Sequence, residues 1–285
     1  MYIKNLFISL HYLKIIVVVM LALHSFAEVT KVIYVYNDIG VSAESLKQTV
    51  NTLKNITTGY KIQLIDVEGI LKKDWIKDAV LLIIPGGADK PYAQKLNGKG
   101  NNIIKQYVKD GGSYLGICAG AYYGSKFVEF DKNGSLEILE KRELVFFLDK
   151  AIGPILAQYD YKTNSGARAA LLKLNPDLHI KDSFKDFSVY YNGGSYFQNA
   201  NLYENVKTIA YYNIKNNVSL SAVLKIKYGH GTVILSGVHF EYSYKLLNAG
   251  NPYDVKLLPI LTKSETARIK FAKLIFEFLG VKTKS

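Results

Sequence analysis

Between residues 31 and 118 the sequence alternates, over short links, between β-type runs and segments of helical periodicity. The runs are KVIYVY at 31–36, YKIQLIDV at 60–67, AVLLII at 79–84 and SYLGI at 113–117. Helical segments are expected at 42–54, 72–77 and 101–109. Ser42 is the expected cap of the first, with Leu46, Val50 and Leu53 on one face. Such alternation is the pattern of a parallel sheet covered by helices on both faces, an α/β fold. In sheets of this kind sites form beyond the carboxyl ends of the strands. Two features fall at such ends here: the Pro85-Gly86-Gly87 turn and Cys118.

Residues 128–212 break the alternation with short strands and Gly- and Asn-containing turns, read as a β-rich insertion. A hairpin is expected from 222–228 and 232–238 across Gly229-His230-Gly231. An amphipathic helix over 264–279 closes the chain, with Ile269, Leu274, Ile275 and Phe278 toward the core. There is no internal repeat and no low-complexity linker, so residues 28–285 read as a single domain.

Residues 1–27 read as a signal peptide. Lys4 and Lys14 precede or border the apolar run 15–23, and Ser25-Phe26-Ala27 places small residues at the −3 and −1 positions before Glu28. The run is shorter than the roughly 20 residues a spanning helix needs. Export to a periplasm or medium is therefore expected, with membrane anchoring if the leader, which is also apolar at 6–13, is not cleaved. The net charge of +12 permits weak association with anionic surfaces. No dedicated nucleic-acid site is expected, because the lysines are scattered and the densest spots, Lys72-Lys73 and Lys282 with Lys284, are only pairs. With one cysteine there is no internal disulfide framework, and stability must come from the core.

That cysteine lies in Gly116-Ile117-Cys118-Ala119-Gly120, the G-x-nucleophile-x-G form of a strand-to-helix elbow. Only very small neighbours fit such a turn, and a helix N-terminus favours a thiolate. The Ala119 amide and the Gly86-Gly87 turn are candidate donors to a substrate oxygen. The bland alternative is a small buried hydrophobe between packing glycines. A second signal is His239-Phe240-Glu241, where an extended segment directs residues i and i+2 to one side. His239 would be the general base and acid, and Glu241 would fix its tautomer. His11 and His24 lie in the leader, and His179 and His230 sit near turns with no acid in register.

These residues resemble the class I glutamine-amidotransferase superfamily. The segments 84–92 (IPGGADKPY), 96–100 (LNGKG), 112–123 (GSYLGICAGAYY) and 190–194 (YYNGG) resemble, more closely, the amidotransferase-like domain at the N-terminus of eukaryotic biotin–protein ligases. The resemblance spans roughly 30–280. It implies a flavodoxin-like parallel-sheet sandwich and a Cys118–His239–Glu241 triad, with Phe240 where proline is usual. It also places Asp89 and Asn192 beside the pocket, to bind a substrate amine and an amide, although both residue types are also what turns demand. No G-R-G-R biotinyl-AMP loop occurs, so biotin ligation is not expected. The expected function is a stand-alone, exported cysteine-dependent amide hydrolase, needing no cofactor and no metal. Its partner would be a small amide- or peptide-containing substrate, glutamine-like or γ-glutamyl-like. The alternative is a catalytically silent ligand-binding or scaffolding module on the same fold.

Overall fold

In the computed structural model the runs at 31–36, 79–84 and 113–117 become strands buried on both faces, while the run at 60–67 forms a largely exposed edge strand. Residues 30–180, 186–214 and 219–285 are described, so the leader at 1–27 lies outside them. The first half runs β1 (Val32–Tyr36), α1 (Ala43–Ile56), β2 (Lys61–Ile65), α2 (Val67–Lys72), β3 (Ala79–Ile84), α3 (Asp89–Leu96), α4 (Lys99–Lys109), β4 (Ser113–Ile117) and α5 (Ala119–Tyr123). The insertion follows as β5 (Ser125–Phe130), β6 (Ile138–Lys141), β7 (Phe147–Gly153), β8 (Arg168–Leu174), β9 (Phe187–Tyr191), β10 (Tyr196–Phe197), β11 (Val206–Asn213) and β12 (Ser219–Tyr228). The chain then returns as β13 (Gly231–Ser236) and ends on α6 (Pro252–Phe278).

The parallel strands lie in the order β2-β1-β3-β4-β13. Counting β13 as the fifth, this is the 2-1-3-4-5 order of flavodoxin-like sheets. Successive side chains on a strand point to opposite faces. Val32, Tyr34 and Tyr36 accordingly enter one core, and Ile33 and Val35 enter the other.

The insertion is joined to β13 through β12, which pairs with β13 on one edge and with β11 on the other. From β12 one path runs through β10 and β7 to β5 and β6, and a branch runs through β11 and β8 to β9. The branch comes back over the parallel half. The end of β9 makes an isolated bridge, Tyr190 to His239, just beyond β13.

Several elements differ from the sequence expectation. The helical stretch expected at 72–77 is α2, ending at Lys72, followed by a 3-10 turn at Asp74–Lys77, and α3 was not expected. The last helix starts at Pro252 and not at 264, capped by the Asn251 side chain, which accepts from the Tyr253 N–H. It runs through Pro259, a residue that usually ends a helical reading because it removes a backbone donor. The first helix turns a polar face inward. Ser45, Gln48, Thr49 and Thr52 are buried with Leu53 and Ile56, while Leu46 and Val50 are only half-buried. The reason lies in what those polar side chains hold.

Candidate active site

Register alone brings three segments together. Ile84 on β3 is level with Gly116 on β4, and Ile117 is level with Ser236 on β13. One to three residues beyond these points come Gly86, Cys118 and His239. Adjacent parallel strands lie about 5 Å apart, so the convergence follows from the strand order.

Cys118 sits in the elbow. Its φ is +50°, in the left-handed region that bulky residues rarely enter, and its N–H donates to Ser236 O at 2.8 Å. A Cβ on Gly120 would lie 2.0 Å from Ile84 O, so the chain can turn this sharply only if that position is bare. Ala119 opens α5, and the first N–H groups of a helix have no carbonyl of their own to meet. The thiol points at Asn192 O, 3.7 Å away.

The His239 N–H donates to Tyr190 O at 2.9 Å, which fixes the backbone. Its Nδ1 lies 2.8 Å from Glu241 Oε1, and both side chains are buried. Phe240 points the other way, into the core against Phe271 and Phe276. The alternation of an extended segment thus survives where proline was expected: two residues face the site and one anchors it. Arg268 donates to Phe240 O at 2.9 Å and Thr52 donates to Glu241 O at 2.6 Å, so the segment is held from both sides. Glu241 Oε2 finds no partner among the described residues.

A Cβ on Gly86 would come within 2.7 Å of His239 Cε1 and 3.4 Å of Cys118 Cβ. The imidazole and the thiol therefore share a space that only a glycine leaves open. Burial disfavours the imidazolium, but the Glu241 carboxylate and Cys118 outweigh it and hold the His239 pKa up to about 10. The pair is thus arranged to keep a proton on the ring at neutral pH.

The polar face of α1 supports this centre. Ser45 Oγ accepts from the Gly86 N–H at 2.9 Å, and the Gln48 amide brackets Ser243, accepting from its N–H at 2.9 Å. These residues went unread in the sequence because polar positions suggest solvent. Their helical spacing, Ser45, Gln48 or Thr49, and Thr52, was the available signal. One expectation is narrowed as a result. Gly86 is not a free donor for a substrate oxygen, since Ser45 takes its N–H. The Gly87 N–H has no acceptor among the described residues, and Gly87 lines the pocket, so it and Ala119 are the remaining candidates.

Above the three segments is a pocket with a cavity volume of about 120 Å³. Its floor holds Cys118, His239 and Gly87. Asp89 and Asn192 both reach its wall, with different standing. The Asp89 carboxylate is buried and accepts from Arg142 Nε at 2.7 Å, so it is not a free ligand for a substrate amine. Burial pushes its carboxyl up from the ordinary value, against the pull of Arg142. Asn192 Oδ1 is buried with no partner among the described residues, and remains able to meet an amide. The sequence also missed the tyrosines of the wall: Tyr122, Tyr159, Tyr161, Tyr190 and Tyr242. Among the described residues no cluster of histidine, cysteine or carboxylates is arranged to hold a metal.

With its elbow on the fourth strand of a flavodoxin-like sheet and its histidine beyond the fifth, the molecule is of the class I glutamine-amidotransferase-like type. More particularly, residues 31–285 match the family described as biotin-protein ligase, N terminal, and the chain belongs to that family. It is 32% identical over 252 residues to the biotin–protein ligase of Schizosaccharomyces pombe, covering 88% of this chain but only 38% of the ligase. It is 40% identical over 219 residues to an uncharacterized protein of Chlamydia muridarum, covering 74% of this chain and 80% of that protein. Among solved structures it is similar to PurLQS of Thermotoga maritima, at 15% identity and a TM-score of 0.48, covering 82% of this chain and 98% of that one.

Proposed function

We propose that the protein is a cysteine-dependent amide hydrolase without biotin ligase activity. The observation that carries this is the convergence of the Cys118 elbow with the hydrogen-bonded His239–Glu241 pair across the bare Gly86. Cys118 Sγ, having given its proton to His239, attacks the amide carbonyl carbon and forms a C–S bond. The carbonyl oxygen, briefly an oxyanion, is met by the backbone N–H groups of Ala119 and Gly87. As the tetrahedral centre collapses the C–N bond breaks, and the His239 imidazolium protonates the departing amine. Water then adds to the thioester carbonyl, with His239 taking its proton; the C–S bond breaks as this second tetrahedral centre collapses, and His239 returns the proton to the sulfur. The sum is amide plus water giving carboxylic acid plus amine. Glu241 keeps the imidazole oriented and its cation balanced throughout. We also propose export by the leader, which a mature N-terminus at Glu28, read by mass spectrometry, would support.

The test is brief treatment with a chloroketone or diazo-ketone electrophile, followed by mass spectrometry. Stoichiometric labelling at Cys118 that is lost in His239→Ala is expected. No labelling of a folded protein with its thiol intact would overturn the proposal in favour of a silent binding module.

A further inference from the structure

Among the described residues the pocket holds tyrosines and carboxylates but no basic side chain other than His239. The chain carries 36 Lys and Arg against 24 Asp and Glu, yet no described Lys or Arg lines this pocket. One wall is a run of edge-to-face rings, with Tyr122–Phe130, Phe130–Tyr159 and Tyr159–Tyr161 centroids 5.7, 5.8 and 4.8 Å apart. The opposite wall is the stacked pair Tyr190–Tyr242, with centroids 4.5 Å apart, and Tyr242 lies 4.6 Å from the His239 ring.

Two carboxylates complete the lining. Asp89 is balanced by Arg142 behind it. Glu44, in the first turn of α1, is half-buried, and its carboxylate accepts from Gln48 at 3.1 Å. Its nearest cation is Lys47, 3.5 Å away, an exposed side chain outside the pocket lining. Burial, then Asp254 for Tyr190 and Glu241 for Tyr242, push these two hydroxyls toward their protonated forms, and Glu44 adds a smaller push in the same direction. Among the described lining residues an entering carboxylate would meet no cation but His239, whose charge Glu241 and Cys118 already balance. An entering ammonium would meet Glu44 and the negative faces of the tyrosine rings.

Building on the assignment of Cys118 as nucleophile, we infer that the substrate carries an amine and no carboxylate. An aminoacyl amide or the amino end of a peptide fits that description, and glutamine and γ-glutamyl compounds do not.

Binding separates the alternatives without relying on turnover. Phenethylamine and 3-phenylpropanoate, matched in ring and near-matched in chain length, are titrated calorimetrically into wild type and Glu44→Gln. The amine is expected to bind wild type about tenfold tighter than the carboxylate, with the ratio falling below about threefold in Glu44→Gln. Equal affinity, undetectable binding of both, tighter binding of the carboxylate, or an unchanged ratio in Glu44→Gln would each overturn the inference. Labelling of Cys118 is read separately. A labelled Cys118 with no amine preference removes the substrate class and leaves the hydrolase. An amine preference with an unreactive Cys118 supports the substrate chemistry and removes the hydrolase.

Discussion

The parallel half of the molecule and its insertion contribute different things to one pocket. From the parallel half come Cys118, His239, Glu241, Gly86 and Gly87, each placed by the register of adjacent strands. From the insertion come Phe130, Tyr159, Tyr161, Asn164, Tyr190 and Asn192, mostly from turns and strand ends. On the proposed function, chemistry sits where strand register fixes position. Recognition is shared: the insertion supplies irregular segments that can vary without disturbing the reacting groups, and Glu44, Tyr122 and Tyr242 join them from the other half. The two meet at the Tyr190–His239 bridge and at the Asp89–Arg142 ion pair.

This division predicts a graded set of effects. Cys118→Ala, in the parallel half, should lower amide hydrolysis by roughly 10⁴- to 10⁶-fold while leaving the melting temperature within a few degrees. Loss of fold with loss of activity would show that the two roles are not separable.

Arg142→Met tests the seam. It strands a buried carboxylate and should cost about 3–5 kcal/mol in denaturant unfolding, most of which Asp89→Asn added to it should restore. A cost below about 1 kcal/mol would mean that the ion pair does not hold the halves together.

Thr52→Val removes the hydroxyl that holds Glu241 O at 2.6 Å. A loss of about 0.5–1.5 kcal/mol in stability and a fall in kcat are expected, with KM little changed. Tyr161→Ala, on the insertion side, should do the reverse, raising KM severalfold with kcat within about twofold. If Tyr161→Ala lowers kcat instead, the insertion takes part in the chemistry and the division fails.

How much of this was legible follows the same line. β1, β3 and β4 announce themselves as apolar runs, and the elbow and His-x-Glu follow strands, so register could be inferred from order alone. The insertion was legible only as β-rich. Its branch through β11, β8 and β9 depends on pairings such as Arg168 with Tyr191, whose partners no local pattern names. The tyrosines of the pocket wall were unread for a related reason. The chain has 22 tyrosines, and nothing local distinguishes Tyr190, stacked in the site, from Tyr114, buried beneath the sheet. The buried polar face of α1 was misread because burial was inferred from apolarity. Ser45, Gln48 and Thr52 are inside because loop amides and carbonyls there need partners.

The central claim is that Cys118, His239 and Glu241 form one coupled unit. It is tested most directly by titrating the His239 ring by NMR in histidine-labelled protein, with the resonance assigned from His239→Gln. The prediction is a midpoint near 10 in wild type, moving down toward 6.5 in both Cys118→Ala and Glu241→Gln. Because the folded value lies above the unfolded one, the stability this charge contributes is complete below about pH 6.5 and is lost as pH rises toward 10. A wild-type midpoint at or below 6.5, unmoved by either substitution, would contradict the account.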